Sequence, residues 1–275
     1  MKALIRGLSY EYQLTTGTNA RLVPWLMLHG FTGTQQTFST NRKNMPHDTI
    51  LTVDLVGHGG SFQSDISAER YQIQQQCLDL KLILEELKIP KVNLLGYSMG
   101  GRVALAFAEI YPEMVAQLVL ESSSPGLKTE AERQQRRVSD ENLAEKIIQN
   151  GVDSFVIEWE SLPLFATQNN LNQATQKQIQ EERLSQEAVG LAESLRQMGT
   201  GNQPSYWSEL SRLNMPVYLL VGSLDNKFKK IAIEMNELIK NSELIEFQNA
   251  GHAIHIEKPQ EFASILISIS NQEDE

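Results

Sequence analysis

Short apolar runs punctuate the chain at wide intervals: Trp25 to Leu28, Thr49 to Val53, Lys91 to Leu95, Gln117 to Leu120, Val217 to Val221 and Leu244 to Phe247. Each is bounded by Gly, Pro or polar clusters, which predicts buried strands of a mainly parallel sheet. Between them the period changes. Tyr71 to Leu87 carries Ile73, Cys77, Leu80, Leu84 and Leu87 near a 3.6-residue repeat with polar positions between, which predicts a helix laid on the sheet by one face. Strands alternating with such helices predict an α/β fold with both faces of the sheet covered.

The rhythm stops after Leu120. From Ser122 to Tyr206 the chain is rich in Gln, Glu, Asn and Arg, with helical patches and no strand-like run; the alternation resumes at Val217. This divides the chain into a core of residues 1–121 and 207–275 and a helical cap, residues 122–206, inserted between two halves of one sheet. Such an insertion would stand over the carboxyl ends of the strands, where open α/β sheets bind ligands. The acidic Glu273 to Glu275 is expected to fray.

Composition narrows the class. A chain of 275 residues with 41% hydrophobic and 21% charged residues suits one large α/β unit or a core with an insertion. A formal net charge of −10 repels nucleic acid and anionic membrane surfaces, so neither is expected as a partner. Cys77 is the only cysteine, which excludes an intrachain disulfide and fits a reducing compartment. Met1 to Leu14 carries Arg6 and Glu11 and lacks the apolar core of a signal peptide, and no apolar run approaches the ~18 residues of a membrane span. A cytoplasmic location is expected.

Gly96-Tyr97-Ser98-Met99-Gly100 matches G-x-S-x-G, between a strand-like run and a helix-like one (Arg102 to Ala108). That context suits a serine on a strained strand-to-helix turn, with the helix N-terminus turned toward developing negative charge. It resembles the nucleophile turn of the α/β-hydrolase fold, in which the chain order is serine, acid, histidine. Of the five histidines, His252 and His255 lie late enough to be the base. His252, directly after Gly251 and a strand, is the candidate; His255 is read as a supporting or surface residue, and His29 and His58 as structural loop residues. Asp225, just past a strand and the Gly222 turn, is the candidate acid, with Glu121 as the runner-up. A carboxylate there fixes the imidazole tautomer and stabilises its protonated form. His29-Gly30-Phe31-Thr32-Gly33 follows a strand, so the N–H groups of Phe31 and Met99 are the candidate oxyanion hole.

Basic residues near the site point to the substrate. Arg102 lies one helical turn past Ser98, and Arg133, Arg136 and Arg137 fall at i, i+3 and i+4 on one helix face. Glu130 and Glu132 could neutralise the latter group as surface pairs. Arginines gathered over the site of an acidic chain suggest an anionic substrate, since each charged hydrogen bond contributes ~1.5–3 kcal/mol. No His, Cys or Asp cluster has metal-ligand spacing and no G-x-G-x-x-G opens a helix, so neither metal nor cofactor is expected.

Together these residues resemble a family. Gly96-Tyr97-Ser98-Met99-Gly100-Gly101-Arg102, Glu121 with Pro125-Gly126-Leu127, then Glu132, Arg133 and Arg136, Trp159 with Pro163 and Phe165, Arg183, Asp225-Asn226-Lys227-Phe228, and Gly251-His252 with His255 are similar to the 2-succinyl-6-hydroxy-2,4-cyclohexadiene-1-carboxylate synthases of menaquinone biosynthesis, often called MenH. The resemblance implies elimination of pyruvate from 2-succinyl-5-enolpyruvyl-6-hydroxy-3-cyclohexene-1-carboxylate, a small-molecule polycarboxylate. It implies that the serine oxygen, relayed through histidine, acts as a base. It assigns Arg102, Arg136 and Arg183 to substrate carboxylates and Tyr97 and Trp159 to the pocket; Arg133 joins the expected binding residues. The departures are Val56 where Pro is common, before Gly57-His58-Gly59, and Gly60 where a larger residue is common. The same triad would also serve a carboxylesterase or a carbon–carbon bond hydrolase working through an acyl-enzyme, and the fold could serve a non-catalytic ligand receptor.

Overall fold

Two strands open the chain, β1 (Lys2–Ile5) and β2 (Leu8–Thr15), in the computed structural model, which describes residues 1–272. The expectation for Glu273 to Glu275 lies outside those residues. Arg6 and Gly7 join the two strands with positive φ at both positions, 50° and 83°, the backbone twist that a two-residue hairpin requires. The six apolar runs then supply β3 (Trp25–Leu28), β4 (Ile50–Val53), β5 (Val92–Tyr97), β6 (Val115–Glu121), β7 (Val217–Gly222) and β8 (Ser242–Phe247). The resulting eight-stranded sheet has the order β1-β2-β4-β3-β5-β6-β7-β8. Its first two strands pair antiparallel and the rest are parallel.

The helices are α1 (Ser39–Asn44), α2 (Ile73–Glu86), α3 (Met99–Ile110), α4 (Glu130–Glu160), α5 (Gln173–Leu184), α6 (Ala188–Met198), α7 (Asn226–Leu238), α8 (Ile254–Glu257) and α9 (Pro259–Asn271). Strand alternation sorts the core onto the two sheet faces. Leu26 and Leu28 face a cluster with Ile73, Cys77, Leu80 and Val103 of α2 and α3, while Trp25 and Met27 face one with Phe38, Phe262, Leu266 and Ile269. The predicted helix over Tyr71 to Leu87 is thus α2 with a short 3-10 turn before it, and it buries the expected face.

Residues between β6 and β7 form helices and no strand, as the polar composition predicts. A reciprocal capping pair starts α4: Thr129 Oγ1 accepts from the Glu132 N–H while Glu132 accepts from the Thr129 N–H. Gly151, at φ 78°, breaks the helix midway. Ala144, Ile147, Phe155 and Val156 of α4 close a separate small core against Leu191, Ala192 and Leu195 of α6. These helices therefore have a packed cluster of their own. No helix among the described residues is long and apolar enough to cross a membrane.

Candidate active site

Ser98 sits between β5 and α3 at φ 50°, ψ −106°, a conformation that costs a non-glycine residue on the order of 1–3 kcal/mol. The turn closes because its neighbours are small: a Cβ on Gly96 would come within 2.4 Å of the Gly100 carbonyl oxygen, and one on Gly100 within 2.2 Å of the Leu28 carbonyl oxygen. The strain lifts the hydroxyl off the sheet. Its Oγ lies 3.0 Å from His252 Nε2, and His252 Nδ1 lies 2.6 Å from Asp225 Oδ2. Asp225 and His252 are buried, and the carboxylate selects the tautomer with the proton on Nδ1, leaving Nε2 free to accept the serine proton. Asp225 holds its place with its other oxygen, which accepts the Phe228 N–H and caps α7. The rings of Tyr97, Phe165 and Phe228 enclose the imidazole, with centroids 5.3, 6.1 and 4.6 Å away.

Glu121, the runner-up for the acid, is directed elsewhere. It accepts the Nδ1–H and backbone N–H of His255 at 2.8 and 3.0 Å, and both side chains are wholly buried. His255 is therefore not a surface residue. His29 accepts the Leu55 N–H on Nε2 and donates from Nδ1 to the Gly30 carbonyl, which holds the start of the Gly30 loop. Burial and then repulsion from His58 pull the His29 pKa down to about 3, and burial pulls that of His58 down to about 4, so both are uncharged loop residues.

Phe31 and Met99 line the same cavity as Ser98. Met99 is the first residue of α3, so its N–H has no partner within the helix. The loop that carries Phe31, after β3, is tight: the Gly33 N–H returns to the Gly30 carbonyl at 3.0 Å, with Thr32 at φ 69°.

The cavity measures roughly 370 Å³ and includes Ser98, His252, Arg102, Arg136, Arg183, Tyr97 and Trp159 in its wall. Arg102 donates to two neutral acceptors, the Met198 carbonyl at 2.6 Å and Gln203 Oε1 at 2.8 Å. Burial, aided by repulsion from Arg136 and opposed by Asp140, lowers its pKa to about 10, so it is still a cation at neutral pH. Arg136 is tied to Asp140 at 2.7 Å, and Arg183 to Glu160 at 3.0 Å and Gln168 at 2.9 Å, with its guanidinium 4.8 Å above the Phe165 ring. Arg133 is not brought to the cavity. Nearer the start of α4, it is held by Glu130 at 2.9 Å and the Leu127 carbonyl at 3.1 Å, the surface pairing that its acidic neighbour makes available. Sequence reasoning also missed Glu182, a carboxylate in the cavity wall; nothing in the Gln- and Glu-rich α5 singles it out. Among the described residues no group of three or more His, Cys, Asp or Glu side chains is placed to hold a metal ion.

Comparison with known proteins identifies the fold and the family. A family model described as the alpha/beta hydrolase fold matches residues 24–259. A Bacillus subtilis (strain 168) protein named for 2-succinyl-6-hydroxy-2,4-cyclohexadiene-1-carboxylate synthase activity is 41% identical over 87% of this chain and 87% of its own. A Citrobacter koseri protein with the same synthase name is 32% identical over 90% of this chain and 93% of its own. The solved structure of MenH from S. aureus superposes with a TM-score of 0.89 and 35% identity, covering 96% of this chain and 99% of that one. A Thermogutta terrifontis esterase, 22% identical over 99% of this chain and 98% of its own, shares the fold with a TM-score of 0.84.

Proposed function

Because the chain belongs to the 2-succinyl-6-hydroxy-2,4-cyclohexadiene-1-carboxylate synthase family of α/β-hydrolase-fold proteins, we propose that it eliminates pyruvate from 2-succinyl-5-enolpyruvyl-6-hydroxy-3-cyclohexene-1-carboxylate, a step of menaquinone biosynthesis. The observation that carries this reading is the convergence of Arg102, Arg136 and Arg183 on one cavity with the Ser98–His252–Asp225 relay. Three cations suit a substrate with three carboxylates, and each charged hydrogen bond is worth ~1.5–3 kcal/mol against the repulsion of an acidic protein.

In this reading His252 Nε2 takes the Ser98 proton, and the serine oxygen removes the acidic ring C–H beside the succinyl carbonyl. The electron pair moves toward that carbonyl, whose oxygen takes negative charge facing the N–H groups of Phe31 and Met99. Such preorganised donors are worth roughly 2.7–4 kcal/mol each at the transition state. The electrons then return through the ring and break the C–O bond to the enolpyruvyl group. The departing enolate takes a proton and leaves as pyruvate. Tyr97 and Trp159 supply apolar walls for the ring. Residues 1–121 and 207–275 act as the catalytic core and 122–206 as the cap domain over it. The enzyme works in the cytoplasm on a small molecule, without nucleic acid, membrane, metal or cofactor.

The test is pyruvate release from enzymatically generated precursor, followed beside hydrolysis of p-nitrophenyl esters. We expect stoichiometric pyruvate and ester turnover slower by orders of magnitude. Rapid ester hydrolysis with acylation of Ser98 and no pyruvate would overturn the proposal in favour of an acyl-enzyme hydrolase. Tight binding without turnover, unchanged in Ser98→Ala, would mark a receptor.

A further inference from the structure

Glu182 presents an electrostatic contradiction. It places a carboxylate in the wall of the cavity that also holds Arg102, Arg136 and Arg183, where it would repel the anionic substrate those cations attract. Its contacts resolve the contradiction. Glu182 Oε1 accepts three hydrogen bonds, from the Thr34 N–H at 2.8 Å, the Thr34 hydroxyl at 2.7 Å and the Thr37 hydroxyl at 2.8 Å. One turn further along the same chain, Gln186 accepts the Gly59 N–H at 3.2 Å and donates to the Gly33 carbonyl at 3.4 Å. Glu182 as acceptor and Gln186 as donor thus both reach residues 33–37, just after Phe31, while the Gln186 oxygen ties the neighbouring Gly59 loop.

That segment is fastened from the core side as well. Asp54 accepts the Gln35 N–H at 2.5 Å, and Arg42 donates to the Gln35 carbonyl at 2.6 Å. Phe31 itself presses its ring edge-on against Trp159 of α4, at 5.4 Å between centroids. The loop carrying the Phe31 N–H is therefore held between a fixed core and helices of the cap. Adjacent residues of a helix project about 100° apart. On α5 this directs Glu182 to the loop while Arg183 reaches Gln168 and Glu160 beside the cavity.

We infer that Glu182 is a positioning residue: it couples the seating of α5, and with it Arg183, to the placement of the Phe31 N–H in the oxyanion hole. Substrate carboxylates that draw α5 onto the core then also tighten the loop that stabilises the enolate. The inference rests on the proposed oxyanion role of Phe31.

The experiment compares Glu182→Ala, Glu182→Gln and Arg183→Ala in the full chain, reading kcat and KM for pyruvate release together with amide hydrogen exchange of residues 30–37. Deleting an oxyanion donor costs about 10²–10³ in kcat, so displacing one should cost about 10–100-fold. Glu182→Ala should show that loss in kcat with KM within about threefold and faster exchange in the loop. Glu182→Gln keeps an acceptor oxygen for Thr34 and Thr37 and should restore most of kcat. Arg183→Ala should raise KM and, because the substrate then no longer draws α5 onto the core, also lower kcat, by less than Glu182→Ala does. If Glu182→Ala melts well below the parent, Thr37→Val, which removes one donor to the same oxygen, takes its place in the comparison. Unchanged loop exchange overturns the inference whatever happens to kcat. A loosened loop with unaltered kcat removes Phe31 from the oxyanion hole and the catalytic coupling with it. A Glu182→Gln variant that only lowers KM would reduce Glu182 to a repulsive charge and overturn the inference too.

Discussion

His255 donates from Nδ1 to Glu121 at 2.8 Å, and this second imidazole–carboxylate pair lies wholly inside the protein against the ring of Tyr97, which also touches His252. The Tyr97 ring contacts both histidines at steep angles, 62° to His255 at 4.6 Å and 56° to His252 at 5.3 Å between centroids. The pair therefore supports the wall against which the catalytic imidazole rests.

Removing one member should be expensive. His255→Ala leaves the Glu121 carboxylate buried with only a backbone N–H as partner, and a stranded buried charge costs roughly 3–5 kcal/mol. Urea unfolding monitored by tryptophan fluorescence should show a loss of that size. A loss below about 1 kcal/mol would mean that water reaches Glu121 or that the pair is not charged.

Asp225 has two tasks that a pair of substitutions separates. Asp225→Asn keeps an oxygen for the Phe228 N–H but offers an amide to His252 Nδ1, which disfavours the productive tautomer. We expect kcat to fall about 10³–10⁴-fold with stability nearly unchanged. Asp225→Ala should lose the same activity and in addition about 1 kcal/mol from the uncapped α7. Ser98→Ala and His252→Ala should each nearly abolish turnover without unfolding the chain. Matched kinetics and thermal melts check all four; an active Asp225→Asn would dissociate the carboxylate from the mechanism.

The arginines divide by partner. Arg102 is bonded to neutral acceptors and retains its charge for a substrate, whereas Arg133 is occupied by Glu130. Arg102→Ala should therefore raise KM by about 10–100-fold, the equivalent of one charged hydrogen bond, and lower kcat through misplacement. Arg133→Ala should leave both constants within about twofold. Steady-state kinetics on the two variants would reverse this assignment if Arg133→Ala proved the more damaging.

Whereas β8, at the sheet edge, buries only Phe247 and showed only as the short run Leu244 to Phe247, β3 to β7 were legible because each is buried along its whole length and so reads as a mainly apolar run. β1 and β2 were not, although Leu8, Tyr10, Tyr12 and Leu14 alternate with polar residues: a strand buried on one face gives a period of two rather than a run, and its turn is Arg6-Gly7, not the commoner Asn-Gly. Chain order and position at strand ends singled out Ser98, Asp225 and His252, but their meeting in space depends on β5, β7 and β8 being brought side by side through β6. Glu121 was a plausible acid by the same criterion. Only the direction of its side chain, toward His255, separates it from Asp225. For Arg133 and Arg136 the helical spacing showed a shared face but not which member would reach the cavity: each has an acidic partner, Glu130 and Asp140, and Arg136 lines the wall while Arg133 does not.

His29 and His58 make the fold acid-sensitive in a defined window. Burial holds their folded pKa values at about 3 and about 4, below the ordinary 6.5. Between about pH 4 and 6.5 the unfolded chain binds a proton on each and the folded chain on neither. Stability is therefore fully present above pH 6.5 and falls as the pH drops through that window, by up to about 1.4 kcal/mol per pH unit for each histidine. Denaturant melts at intervals from pH 7 to pH 4.5 should show this slope. His58→Asn, which takes up no proton there, should flatten it by about one histidine's share. The same slope in parent and variant would mean that His58 is already protonated, or solvated, in the folded protein.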